Sequence, residues 1–227
     1  MIKIEKVRLL FEQSGTFKKQ FKLLGFDAYD YDIENQFEQT DFVIDLFKEI
    51  ENAYNGVKSI FDDFDKDDLI VAFFPCTYFS TQNNLIWHKK IYQFKFWDDE
   101  KIDNYVENRK KDRDLFYSIL LKFIDVIEKR GFKTIIENPY TSNYLLYQKE
   151  MKQPDLVIQD RTLYGDYYKK PTMFYYFNFE PSFMSEYTLV TKNKDRKQIN
   201  YEHGINRSLI HPNFAFNFIN KYILGIR

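Results

Sequence analysis

The sequence predicts an α/β fold on a mostly parallel, doubly wound sheet, and three stretches carry that prediction. Leu69–Phe74 is a continuous apolar run, too short for a helix and suited to a strand covered on both faces. It ends at Pro75, which has no N–H to give to a ladder, and Cys76, the only cysteine in the chain, follows directly. Upstream, Lys3–Asp32 reads as strand, polar turn, helix and strand. Downstream, an amphipathic helix over Asp114–Arg130 leads into another short apolar run, Phe132–Ile136. Strands alternating with helices need crossover connections, and these favour parallel pairing.

In chain order, Lys3–Phe11 is the first strand and the polar turn Glu12–Gln13–Ser14–Gly15–Thr16 follows it. Phe17, Phe21 and Leu24 fall at helical spacing, and Gly25 stands where a helix stops. Phe26–Tyr31 forms the second strand, closed by Asp32. Such a unit suits an adenosine ligand, because amides at the helix N-terminus face the ligand and the acid accepts from ribose hydroxyls. The turn holds one glycine where a dinucleotide fingerprint holds three, which argues against pyrophosphate.

Asp41–Ile60 is predicted to be mostly helical, with Asp62–Asp68 an acidic connector to the cysteine-bearing strand. Thr81–Arg113 mixes aromatic and charged residues, among them Trp87, His88, Lys89, Lys90, Trp97 and Arg109 to Lys111. It reads either as a solvated insertion or as an aromatic, basic surface that grips a nucleic-acid strand. In the next helix Leu115, Phe116, Ile119, Leu120, Phe123 and Ile127 form one stripe, and Gly131 follows its end. Phe132–Ile136 then runs into Glu137–Asn138–Pro139. Ser142–Lys152 is predicted as a short helix, and Asp155–Gln159, Thr162–Tyr164 and Pro171–Phe179 as strands. Pro181–Lys197 is a polar connector holding Lys192, Lys194, Arg196 and Lys197. Ser208 is the expected N-cap and Pro212 a first-turn residue of a closing helix that presents Phe214, Phe218, Ile219 and Tyr222.

Composition narrows the classes. The 227 residues, 44% hydrophobic with 24 Phe and 18 Tyr, are enough for one large domain with a full core. Only 7 Gly and 6 Pro argue against long linkers. One Cys excludes an internal disulfide framework and fits a reducing compartment, while three His and one Cys argue against a protein-built zinc site. No apolar run reaches the roughly 18 residues that span a bilayer, and the N-terminus lacks a signal-peptide layout, so a cytoplasmic location and no membrane partner are expected. A net charge of −1 gives no global attraction to nucleic acid, so any such partner must be held by local patches.

Each strand ends in a polar loop, and these loops carry Gly15, Asp32, Cys76 and Glu137 in that order. In a doubly wound sheet they converge on one edge, bringing a thiol and a carboxyl beside an adenosine pocket. This order resembles the cytosine-C5 DNA methyltransferase family, S-adenosylmethionine-dependent enzymes on a Rossmann-like fold, over nearly the whole chain. Phe11-Glu-Gln-Ser14-Gly15-Thr16-Phe17 looks like the family's F-x-G-x-G motif, which cradles the methionine part of the cofactor. Asp32 with Ile33 matches the acid on the ribose and the apolar residue against adenine, and Asp41 with Phe42 matches the step at the adenine edge. Phe74-Pro75-Cys76 matches the catalytic P-C motif and Glu137-Asn138-Pro139 the E-N-P motif. Gln159-Asp160-Arg161 looks like the start of Q-x-R-x-R, and Asn206-Arg207-Ser208 with Pro212 resembles the last motif, which returns to the cofactor.

The resemblance implies that the Cys76 thiolate adds to cytosine C6, Glu137 assists at N3 and Arg161 helps fix the ring, with S-adenosylmethionine as methyl donor and DNA as substrate. The base would leave its stack to reach the site. Gln13 replaces a glycine of the first motif, Glu12 puts negative charge beside it, and Leu163 stands where a second arginine belongs. Tyr164-Gly165 with Lys170-Pro171-Thr172 instead resembles the Y-G…K-P-T stretch of small, divergent members. The resemblance divides the single domain, 1–227, into a core, an insertion at about 84–113 and a reduced target-recognition region at about 180–204. Trp87, Lys89 and Lys90 in the insertion, and Lys192, Lys194 and Arg196 after it, are the expected nucleic-acid contacts. RNA or a free cytosine nucleotide as substrate, and a non-catalytic protein that binds nucleic acid or cofactor, are the alternatives.

Overall fold

A computed structural model describes residues 3–80, 83–141, 143–183, 189 and 209–225. The chain runs through β1 (Lys6–Leu10), α1 (Thr16–Leu23), β2 (Asp27–Asp32), β3 (Phe42–Val43), α2 (Leu46–Tyr54), β4 (Leu69–Ala72) and α3 (Asn84–Trp87). It continues through α4 (Asp99–Arg130), β5 (Lys133–Pro139), β6 (Leu156–Ile158), β7 (Thr172–Phe177) and α5 (Pro212–Phe218), which Ile219–Leu224 prolongs as a π-helix. The described strands form one seven-stranded sheet in the order β3-β2-β1-β4-β5-β7-β6. Pairing is parallel from β3 to β5, and β7 runs antiparallel to both β5 and β6. The sheet is therefore mostly parallel and flanked by helices, as a Rossmann-like fold requires.

Strand alternation explains both faces. Val7, Leu9, Leu69, Val71, Ile135, Phe174 and Tyr176 pack on Phe17 and Phe21 of α1 and Phe214 and Phe218 of α5. Leu10, Ile70, Ala72, Ile136, Met173 and Tyr175 pack on Leu46 and Ile50 of α2 and on Ile119, Leu120 and Phe123 of α4. Because helices cover both faces, β4 reads as an unbroken apolar run.

Several expected elements change. The helix expected over 41–60 is split: Phe42 and Val43 pair with Tyr31 and Asp32 of β2, and the helix starts only after Asp45. The Asp45 carboxylate accepts from the Phe47 and Lys48 amides at 3.1 and 3.2 Å, fixing that start. Upstream of residue 114, α4 gains 15 residues and begins at Asp99, after the cap Asp98, whose side chain accepts from Lys101 N. The insertion is not bare surface, since Phe94, Ile102 and Val106 form a small core with Trp87, Trp97 and Tyr105 packed on it. The strand expected at 162–164 is a 3₁₀ turn, Arg161–Tyr164, between the Asp160 cap and left-handed Gly165. The helix expected at 142–152 is reduced to a 3₁₀ turn, Tyr144–Tyr147, capped by Asn143. Ser208 lies outside the described residues; His211 caps α5, its Nδ1 accepting from Asn213 N at 3.0 Å, with Pro212 first in the helix. Among the described residues no helix is long and apolar enough to cross a membrane.

Candidate active site

The strand order reverses between β1 and β4, and a cavity of about 720 Å³ opens at the carboxyl ends of β1, β2, β4 and β5. Open α/β sheets bind ligands at such a switch point. One wall is the 11–14 turn after β1, the next is Asp32 to Glu34 after β2, and the third is Asp45 to Phe47 at the start of α2. The 73–77 loop after β4 and Glu137 of β5 close the far side, with Phe116, Lys170, Leu209 and Ile210.

The turn after β1 is shaped by a buried acid. Glu12 is 5% exposed, and its Oε1 accepts from Ser14 Oγ at 2.5 Å and from Thr16 N at 3.0 Å. Burial pushes this carboxyl up to about 7, and Asp30 adds to the rise, against the pull of the Ser14 and Thr16 hydrogen bonds and of Lys18. Its Oε2 is buried with no hydrogen-bond partner. Gly15 caps α1 at φ +67°, and a Cβ there would sit 3.1 Å from Gln39 Cβ, so both conformation and space favour glycine. Phe11 and Ser14 wall the cavity, but Gly15, Thr16 and Phe17 do not: Phe17 is buried against Phe73, ring centroids 4.9 Å apart.

Asp32 and Ile33 line the cavity. Burial raises the Asp32 carboxyl, while Glu34 N donates to its Oδ1 at 2.9 Å. The expectation for Asp41 and Phe42 is corrected, since neither walls the cavity. Asp41 Oδ1 lies 3.1 Å from Lys18 Nζ, and its backbone N–H donates to Asp30 Oδ1 at 2.7 Å. Phe42 stacks on Tyr31, centroids 4.7 Å apart. The same acid-then-apolar step recurs at Asp45-Leu46, and that pair does face the cavity.

Cys76, Pro75 and Glu137 also line the cavity. Burial pushes the Cys76 thiol up, the Lys170 ammonium pulls it down, and the Glu137 carboxylate pushes it up again. The Cys76 carbonyl accepts from Phe79 N and Ser80 N at 2.9 and 3.1 Å, turning the chain sharply after the thiol. Glu137 Oε1 is buried without a hydrogen-bond partner and lies 3.7 Å from Arg161 Nη1. Arg161 does not reach the cavity, which corrects its expected ring contact. It is 1% exposed behind Glu137, with Nη2 2.5 Å from Asp166 Oδ2 and its guanidinium 4.3 Å from the centre of the Phe214 ring. Arg161 thus approaches Glu137 while its close ion pair is with Asp166.

The expected nucleic-acid contacts separate. Trp87 packs on the insertion's small core with the Arg113 guanidinium 5.5 Å from its ring, Lys89 is ion-paired with Asp103, and Lys90 is exposed. Lys192, Lys194, Arg196, Asn206 and Ser208 lie outside the described residues. Two further cations among the described residues lie against rings: Arg109 is 4.8 Å from the Tyr78 ring, and Arg113 4.4 Å from that of Tyr144. Sequence reasoning also missed Asp45, Leu46 and Lys170 as cavity residues. Their signals were the second acid-apolar step and the K-P-T triplet. No protein-family model matches the sequence, and no curated protein matches it, so the functional reading rests on this geometry.

Proposed function

We propose that this protein is a cytosine-C5 methyltransferase that uses S-adenosylmethionine and acts on DNA, with the Rossmann-like sheet as its methyltransferase domain. The observation that supports this most is that Cys76 and Glu137 line one switch-point cavity together with Phe11, Asp32 and Asp45. The volume, about 720 Å³, falls within the usual range for ligand pockets, roughly 300–1,000 Å³. The residues present fit the cofactor. Asp32 at the tip of β2 suits ribose hydroxyls, Asp45 and Leu46 take the adenine-edge place expected of Asp41 and Phe42, and the unpartnered Glu12 oxygen suits a cationic group. S-adenosylmethionine supplies an electrophilic methyl group when bound.

The chain's own residues prepare the base. Cytosine C5 is a poor nucleophile, so the Cys76 thiolate forms an S–C6 bond and pushes the ring electrons towards C5 and N3. Glu137 holds a proton at N3 and takes up the charge that gathers there, and Arg161 keeps that carboxyl in place from behind. Lys170 favours the thiolate over the thiol at the moment of attack. At the end the C5 proton passes to solvent, its bonding pair re-forms the C5=C6 double bond, and the S–C6 bond breaks with its pair returning to the Cys76 sulfur. Arg109 and Arg113, stacked on Tyr78 and Tyr144 beside the thiol loop, are suited to hold backbone phosphates.

Methyl transfer from labelled S-adenosylmethionine to DNA, RNA and dCMP, measured in parallel for wild type and Cys76→Ala, tests the proposal. Labelled DNA with the wild type and none with the variant is expected. Undiminished transfer by Cys76→Ala, or no transfer to any of the three, overturns it, and preference for RNA or dCMP moves the substrate.

A further inference from the structure

Among the described residues that wall the cavity, five carry carboxyl groups, Glu12, Asp32, Glu34, Asp45 and Glu137, and one, Lys170, an ammonium. That balance selects a ligand with positive charge. Three of the acids have partners beside the cavity. Asp32 accepts from Glu34 N, Asp45 accepts from two α2 amides, and Glu34 Oε2 accepts from Gln36 Nε2 at 2.7 Å and Gln13 Nε2 at 3.2 Å. Glu12 and Glu137 are both buried with one oxygen left without a hydrogen bond, but Glu137 Oε1 has the Arg161 guanidinium 3.7 Å away. The cation nearest Glu12 is already engaged. Lys18 Nζ lies 2.9 Å from Asp30 Oδ1 and 3.1 Å from Asp41 Oδ1, and it donates to the Gln39 carbonyl. One lysine thus faces three acids, Asp30, Asp41 and Glu12. A buried carboxylate with a free oxygen and no cation of its own is costly unless a ligand completes it.

We propose that Glu12 is the receptor for the primary ammonium group of the cofactor's methionine part, a proposal that rests on the function given above. Glu12 Oε1 stays with Ser14 and Thr16, holding the turn, and Oε2 accepts from the ammonium. Binding is then linked to protonation. The free carboxyl titrates near neutrality under Asp30 from β2 and Lys18 from α1, with Asp41 behind them and Asp32, Glu34, Asp45, Glu137 and Lys170 around the cavity. A cation at Oε2 favours the carboxylate, so the ligand binds with proton release at slightly acid pH.

Calorimetric binding of S-adenosylhomocysteine, which has the ammonium but no sulfonium, and of methylthioadenosine, which lacks the amino-acid part, tests this. The wild type should bind S-adenosylhomocysteine about tenfold more weakly at pH 6 than at pH 8, as follows for a carboxyl that must ionise from about 7. Glu12→Gln, which keeps the acceptor for Ser14 and Thr16, should lose about tenfold or more at pH 8 and most of this pH dependence. Its affinity for methylthioadenosine should match that of the wild type. Equal affinity and equal pH dependence for S-adenosylhomocysteine in both proteins overturns the role of Glu12 and leaves the proposed function standing. Failure of the wild type to bind either compound overturns that function instead. If Glu12→Gln does not fold, wild-type titrations at pH 6.5 in two buffers decide. Proton release with S-adenosylhomocysteine and none with methylthioadenosine supports the proposal, and no release with either overturns it.

Discussion

Asn138 Nδ2 donates to the Phe74 carbonyl across 3.0 Å, tying the strand that carries Glu137 to the residue two places before Cys76. Asn138 is fully buried, and its Oδ1 accepts from Asn143 Nδ2 at 2.9 Å. Asn143 in turn donates to the Pro139 carbonyl at 2.8 Å and accepts from Leu145 N. One side-chain amide therefore links the loop that carries the thiol to the strand that carries the carboxyl, beside the β4–β5 ladder.

Replacing Asn138 with Leu leaves the Phe74 carbonyl and one Asn143 donor bond unmet at a buried position. The expected cost is about 1–3 kcal/mol for each unsatisfied group, read in a denaturant midpoint. Turnover should fall further than stability explains, because Cys76 and Glu137 lose their common reference. An Asn138→Leu protein with wild-type midpoint and rate would show that the amide sets nothing.

Cys76 is the only thiol, so alkylation of the intact chain reports it without interference. Its rate should rise with pH through a midpoint above that of a free thiol, about 8.5, because burial holds the proton on. Lys170→Met should move the midpoint up and Glu137→Gln should move it down. Coincident pH profiles for the three proteins would remove both side chains from the thiol's environment.

Arg161 and Asp166 form a buried ion pair, with side chains 2% and 1% exposed. Removing the arginine strands the acid, so Arg161→Met should cost about 3–5 kcal/mol. Adding Asp166→Asn removes the stranded charge while keeping an acceptor for the Tyr167 and His211 amides. The double variant should therefore recover part of the loss, as a double-mutant cycle would show. Strict additivity would mean that the two side chains are not coupled.

Glu12 also shapes stability in the absence of ligand. Its carboxyl titrates at about 7 in the fold against 4.5 ordinarily, so the folded state holds the proton more tightly. That contribution is complete below about pH 4.5 and is lost as pH rises through 7. Glu12→Gln should thus gain on the wild type between those limits and level off above, by about 1–3 kcal/mol. A pH-independent difference between the two proteins would show that Glu12 does not titrate on unfolding.

The sequence by itself determined the parallel sheet, the buried strand ending in Pro75 and Cys76, the strand ending in Glu137, and Asp32 at the tip of β2. These follow from local signals: apolar runs of strand length, helical spacing, caps, and the rule that parallel strands bring their carboxyl ends together. The tertiary structure decided which of two similar acid-apolar steps faces the cavity. Pairing of Phe42 with Tyr31 in the β2–β3 ladder carries Asp41 to Lys18 and leaves Asp45 and Leu46 for the wall. It also decided that Arg161 stands behind Glu137, and that Lys170, nearly a hundred residues along the chain from Cys76, shares the thiol's cavity. Sequence periodicity tells which face of an element is apolar, whereas burial, charge balance and side-chain reach depend on what lies opposite, and only the folded chain supplies that.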